Sequence, residues 1–208
     1  MERLETSVNW GEKGWDSFFV QKGKRWRDKD YRYINDIFDL HILKGSLLDV
    51  GCGIGDGLVY LKNKCSEIDR FIGTDFSCKA IEACRNNTEL STMEFFQHNI
   101  IEPLPEKYDN IICLQTLEHV EDPPTAMQNL IDAAQNLLIA GVPYRNKRPD
   151  ENHLWSFDEN DFSDLADFFC LDRKRKNIYW LIDKQKKGPG FYKKRLHLLH
   201  NLIEKLNS

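Results

Sequence analysis

Four glycines stand at alternate positions, Gly51, Gly53, Gly55 and Gly57, directly behind an apolar run that ends in Asp49 and Val50. A turn without Cβ atoms bends sharply and lets a ligand approach the backbone. Asp49 at the end of the run repels a pyrophosphate, yet it can accept a hydrogen bond from a ligand ammonium. A second acid, Asp75, lies 24 positions after Gly51. That is near the separation of about 20 at which a carboxylate takes the two hydroxyls of a ribose. Phe76 follows it and offers a ring to an adenine face. His119 and His153, two of the six histidines, can take a proton near neutral pH.

These groups need elements to hold them. The apolar run 46–50, the glycines and the segment after Gly57 read as strand, loop and helix, the start of a nucleotide-binding βαβ unit. The glycine spacing is G-x-G-x-G. It is neither the G-x-G-x-x-G of a dinucleotide site nor, lacking a following lysine, a phosphate-binding P-loop. Six more short apolar runs, at 70–75, 93–97, 108–114, 136–142, 168–172 and 177–183, predict further strands. Helices are expected over 28–43, over 78–87 behind a Ser77 cap, over 124–134, and near 160–167 behind Ser156 or Asp158. Glycines at 11, 14 and 23 are expected to break the aromatic stretch 9–26 into short pieces.

The segment SLLDVGCGIGDG resembles the first motif of class I S-adenosylmethionine (SAM)-dependent methyltransferases. RFIGTD, ending in Asp75, resembles their second motif. QTLEHVEDP, at 115–123, is similar to the post-strand segment of the type 11 and 12 sequence groups, and together these motifs cover roughly residues 46–143. The resemblance implies an α/β, Rossmann-like fold: a seven-stranded, mostly parallel sheet with helices on both faces and an antiparallel last strand. It implies S-adenosyl-L-methionine as cofactor, held by Asp49, Gly51, Gly53, Gly55, Asp75, Phe76, Asn99, Ile100 and Gln115. Asn99 stands where the family often has an aspartate that accepts from the adenine amino group, and its amide oxygen can still accept. Gln115 falls beside the glycine loop, within reach of the methionine part of the cofactor. His119 falls where an acceptor would approach. His119 and His153 are therefore the candidate catalytic bases, and Tyr144 and Trp155 the candidate substrate-binding residues. The alternative for each is a loop hydrogen bond or a place in the core. Residues 1–45 are read as an N-terminal helical and aromatic lid, 46–187 as the SAM-binding domain, and 188–208 as a basic amphipathic helix.

Composition bounds the function. The chain has 208 residues, 41% hydrophobic and 30% charged, an ordinary globular balance. No apolar run is long enough for a membrane span, and the first ten residues lack the apolar core of a signal peptide. Six cysteines at 52, 65, 78, 84, 113 and 170 include no C-x-x-C pair, so no metal site is read from them. Reduced thiols in a cytoplasmic protein are expected. The net charge is −4, yet residues 173–208 carry eleven Lys or Arg against two acids. The expected partner is a small-molecule or glycan acceptor, methylated at oxygen. An RNA acceptor for the basic end is a less favoured reading, and a non-catalytic SAM-binding partner protein is another. The tail's narrow apolar stripe suits docking on its own domain, pairing two copies or lying on a membrane, with docking the default, and the chain is read as a monomer or homodimer.

Overall fold

The computed structural model describes residues 1–4, 9–22, 29–146 and 152–188. In chain order they form β1 (Glu2–Arg3), α1 (Gly11–Lys22), α2 (Lys29–Ile37), β2 (Lys44–Val50) and α3 (Asp56–Lys62). Then come β3 (Glu67–Asp75), α4 (Cys78–Asn86), β4 (Glu94–Gln97), β5 (Tyr108–Leu114), α5 (Pro123–Ala133) and β6 (Ala134–Pro143). β7 (Trp155–Ser156), β8 (Phe168–Asp172) and β9 (Asn177–Asp183) follow.

Seven strands make one sheet in the order β4-β3-β2-β5-β6-β9-β8. Neighbours from β4 to β6 are parallel, and β9 runs antiparallel to both β6 and β8. The alternation of side chains along a strand feeds two cores. Leu47 of β2 joins Ile112 and Ile139 under α2, α3 and α4. Leu48 and Val50 join Ile111, Cys113 and Leu138 under α5. Both faces are covered, which is why these strands read as continuous apolar runs. α5 begins cleanly: Asp122 accepts from the Thr125 N–H, and Pro123 fills the first turn, where no donor is needed. Its Met127 and Leu130 are fully buried, each contributing roughly 1.5–3 kcal/mol. Strand order reverses between β2 and β5, and the crevice at their carboxyl ends is where ligands bind in such sheets.

Three expectations need correction, and one pairing was not foreseen. The helix expected over 28–43 stops at Ile37 and resumes as one 3-10 turn, Leu40–Ile42, because the Asp39 carboxylate accepts from the His41 N–H. Gly14 does not break the aromatic stretch. α1 runs through it, and a Cβ there would lie 2.5 Å from the Trp10 Cβ, so the glycine admits Trp10. Residues 160–167 make turns rather than a helix. Asp158 accepts from the Asn160 N–H, Asp161 accepts from the Asp158 N–H, and Phe162 sits at φ 56°. Such local side-chain bonds compete with helix formation. Lastly, β1 pairs with β7 in a small antiparallel ribbon, Glu2 opposite Ser156, which no sequence signal announced. Of the expected basic helix, all but Gly188 lies outside the described residues, as do Trp26 of the aromatic stretch and 147–151 of the loop before His153.

Candidate active site

The loop after β2 is built from left-handed glycines: Gly51 at φ +74°, Gly53 at +54° and Gly55 at +86°. Its first two amides, Gly51 and Cys52, donate to the Thr74 carbonyl at 2.8 and 3.0 Å. The Gly53 N–H donates to Asp75 Oδ2 at 2.9 Å, and the Ser77 N–H to Asp75 Oδ1 at 2.9 Å. The end of β3 thus holds the glycine loop. Burial pushes the Asp75 carboxyl up to about 6, against the pull of backbone donors at Ser77, Gly53 and Phe76.

These residues border a cavity of about 1300 Å³, counting its open mouth. Gly51, Gly53, Asp75, Phe76, Asn99 and Ile100 line it, and so do Gln115 and His119. The Asn99 side-chain oxygen accepts from the Ile101 N–H at 3.3 Å, which fixes the turn after β4. Gln115 stands at φ 52°, with its N–H on the Gly141 carbonyl. Its side-chain Nε2 is buried with no hydrogen-bond partner among the described residues, in a residue that lines the crevice. An orphaned buried donor normally has a partner in the working protein.

The wall opposite the glycine loop comes from α1. Trp15, Phe18 and Phe19 line the cavity, and the Phe19 ring lies 3.5 Å from where a Gly53 Cβ would stand. Asp16 ties α1 to the start of α4: its carboxylate accepts from the Ser77 hydroxyl, the Lys79 N–H and the Cys78 thiol. These aromatics were legible as a cluster, but their facing the glycine loop was not.

Asp49 is placed differently from expectation. It is fully buried behind the loop and does not line the cavity. The Tyr31 hydroxyl donates to both its oxygens at 2.9 Å. The Tyr31 ring lies against Gly57, 2.2 Å from where a Cβ would be. The fourth glycine therefore makes room for a tyrosine, and both border the cavity. Gly55 also stands off the cavity, packed on Leu90. Burial pushes the Asp49 carboxyl up to about 7 from 3.8, with the Tyr31 hydrogen bond pulling down and the Asp75 charge adding to the rise. A carboxyl held more basic in the fold favours folding while protonated. That stability is complete below about pH 4 and is lost as pH rises through about 7. We expect Asp49→Asn, which cannot ionise, to be more stable than wild type by a few kcal/mol, to order of magnitude, at about pH 8 and by much less near pH 5. Urea melts at the two pH values check this.

His119 lies in a 3-10 turn, Leu117–His119, after β5. Its Nδ1 is 2.7 Å from the Asn152 carbonyl, so Nδ1 carries the proton and Nε2 presents a lone pair. Burial pushes its pKa down to about 3, with the Asn152 carbonyl opposing and His153 adding. It is a poor proton acceptor in this setting. The rings of Trp15 and His153 each meet it edge-on at 4.9 Å. His153 is beside it but outside the cavity lining. Glu118, which sequence reasoning did not single out as a site residue, is 1% exposed, and neither carboxylate oxygen has a hydrogen-bond partner among the described residues. Burial pushes it up to about 8.

Tyr144 and Trp155 do not line the cavity. The Tyr144 hydroxyl donates to Glu159 at 2.7 Å. The Trp155 Nε1 donates to the Val120 carbonyl at 2.8 Å, and its ring carries the Arg3 guanidinium at 5.0 Å. Both are spoken for by the β1–β7 ribbon and the turns after it. All six cysteines are free thiols. No helix among the described residues is long and apolar enough to cross a membrane.

Fold and site define an α/β domain that binds a nucleoside-bearing ligand at a glycine loop. The family follows from comparison with known proteins: a family model described as "Methyltransferase domain" matches residues 44–183, and the chain belongs to that family. Its cofactor is S-adenosyl-L-methionine, and it falls in the class of SAM-dependent methyltransferases. The cavity fits that donor, since glycines leave a cradle, Asp75 offers paired acceptors and Gln115 an unused donor. The chain is 32% identical over 130 residues to the ubiquinone biosynthesis O-methyltransferase of Rickettsia bellii, covering 58% of this chain and 48% of that one. It is 33% identical over 107 residues to ribosomal RNA small subunit methyltransferase C of Escherichia coli O7:K1, covering 50% and 29%. The chain thus spans about half the length, or less, of these curated relatives. Among solved structures, a chain from the complex of the Haloferax volcanii Trm112 methyltransferase activator superposes with a TM-score of 0.64 at 13% identity, covering 82% of this chain and 97% of that one, a likeness of fold.

Proposed function

We propose that this chain transfers the methyl group of SAM to an oxygen of a small, flat, largely apolar acceptor. The observation that carries the reading is the cavity's two-sided wall. One side holds the glycine loop, Asp75 and the unused Gln115 donor, and the other holds Trp15, Phe18, Phe19 and His119. The polar side suits the donor: Asp75 takes the ribose hydroxyls, Phe76 and Ile100 border the adenine, and Gln115 donates to the methionine carboxylate. The aromatic side suits a ring-bearing acceptor. α1 acts as the cover, held over the site by Asp16.

The sulfonium of the bound cofactor supplies an already activated methyl group. The protein aligns the acceptor oxygen with it and keeps water out. The acceptor hydroxyl gives its proton to bulk water before the site closes, its oxygen then takes the methyl group, and the electrons of the breaking C–S bond stay on sulfur as neutral S-adenosylhomocysteine leaves. His119 Nε2 presents its lone pair on the acceptor side and can orient the acceptor hydroxyl, but burial leaves it a poor base. The ubiquinone-pathway relative, an O-methyltransferase by name, supports oxygen as the target.

The test is calorimetric titration with SAM and S-adenosylhomocysteine, followed by mass spectrometry of products from hydroxylated aromatic compounds, glycans and RNA. Methylated phenols are expected. Methylation of RNA alone would overturn the reading, and no binding of either cofactor form would remove its donor.

A further inference from the structure

Glu118, His119 and His153 each bring one ligand atom within 4.8 Å of the others. The arrangement is hard to explain as packing. His119 Nε2 carries a lone pair, because Nδ1 donates to the Asn152 carbonyl. It faces Glu118 Oε1 at 3.9 Å, too far for a hydrogen bond in either protonation state of the carboxyl. Both oxygens of Glu118 lack a hydrogen-bond partner among the described residues, and the residue is 1% exposed. A buried carboxylate without donors is costly unless a cation satisfies it. A histidine that gives its second ring N–H to a backbone carbonyl is also the usual orientation of a metal-bound imidazole.

We propose that Glu118, His119 and His153 bind a divalent transition-metal ion at the acceptor side of the cavity. Two imidazoles and one carboxylate are a donor set for zinc, cobalt or iron(II) rather than for magnesium or calcium. Metal–nitrogen and metal–oxygen bonds of about 2.1 Å separate two ligands by about 3.4 Å at a tetrahedral angle. Closing the present 3.9 Å gap needs a shift of about half an ångström. His119 lines the cavity, so a position not taken by protein opens toward the acceptor. There the ion would bind the acceptor hydroxyl and lower its pKa, which His119 alone does not do. That use rests on the O-methylation reading; the site itself rests on the geometry.

The experiment titrates the full chain with Co²⁺, following visible d–d absorption, and then competes with Zn²⁺. Wild type is expected to bind one Co²⁺ with a nitrogen and oxygen spectrum. Glu118→Gln and His153→Ala should each weaken it more than tenfold, while Cys78→Ser leaves it unchanged. Cys78 is the control because Glu12, Asp16 and Cys78 form the other candidate cluster, and a thiolate ligand there would add an intense near-ultraviolet band. No d–d band at saturating Co²⁺, a thiolate band abolished by Cys78→Ser, or undiminished binding in both site variants would each overturn the proposal. SAM titration of the same samples reports folding and separates the two readings. Protein that binds SAM without Co²⁺ loses only the metal, and protein that binds Co²⁺ without SAM loses only the donor.

Discussion

Asp75→Ala is expected to weaken SAM and S-adenosylhomocysteine binding by about 100-fold. Each oxygen of Asp75 already takes one backbone donor, from Ser77 and from Gly53. An ionised carboxylate has about four acceptor positions, so two remain for a ribose. Hydrogen bonds to a charged group contribute roughly 1.5–3 kcal/mol each, and every 1.4 kcal/mol is tenfold in affinity. Two such bonds exceed a hundredfold even at the low end. The substitution also frees the Gly53 N–H and loosens the loop. Asp75→Asn keeps the shape and loses the charge, so a loss nearer tenfold is expected. The carboxyl titrates near 6, so wild-type affinity should fall as pH is lowered through that value, and Asp75→Asn should show no such dependence. Calorimetry across the pH range reads both effects. Affinity unchanged in Asp75→Ala would put the ribose elsewhere.

The second large effect is on stability. Gly51→Ala meets two obstacles at once. The backbone is left-handed at φ +74°, and the new Cβ would lie 2.1 Å from Thr116 Oγ1 and 2.8 Å from its methyl. The conformation costs about 1–2 kcal/mol for a residue with a Cβ, and the overpacking about 1–3 kcal/mol more. At roughly 2–4 °C per kcal/mol for a chain of this size, Tm should drop by on the order of 10 °C. Thr116 holds its place by donating toward the Leu114 and Val50 carbonyls. Adding Thr116→Ala should therefore recover part of the loss, since it removes the clash and leaves the backbone cost. A double-mutant cycle by thermal melting measures that share. Strict additivity would show that the clash is relieved some other way.

Much of this architecture was readable because the sheet is buried on both faces. Apolar runs bounded by turn residues marked β5, β8 and β9 at their observed limits. Asp75 and the glycines were readable because their spacing follows from how a strand, a loop and a helix meet. Asp49, Tyr144 and Trp155 were not. Each looks polar and available in the sequence, and each is engaged by a partner far along the chain: Tyr31, Glu159 and the Val120 carbonyl with Arg3. Periodicity carries no trace of such pairings. Glu118 escaped notice for the opposite reason. A glutamate after a strand reads as solvent-facing, and only the fold shows it walled in without a donor. The continuity of α1 across Gly14 depended on one neighbour, Trp10, filling the missing side chain's place.

The place of β9 has a consequence for how the chain folds. β9 is the last strand in sequence among the described residues, yet it lies between β6 and β8. Until residues 177–183 are available, the edge of β6 from Leu137 to Pro143 has no hydrogen-bonding partner, and β8 has nothing to pair with. One half of the sheet can assemble as it is synthesised, but the other half waits for its closing strand. Such late, non-local pairing slows folding, and an open apolar edge invites association with other chains. Chains cut before Asn177 should therefore aggregate rather than fold into a smaller domain.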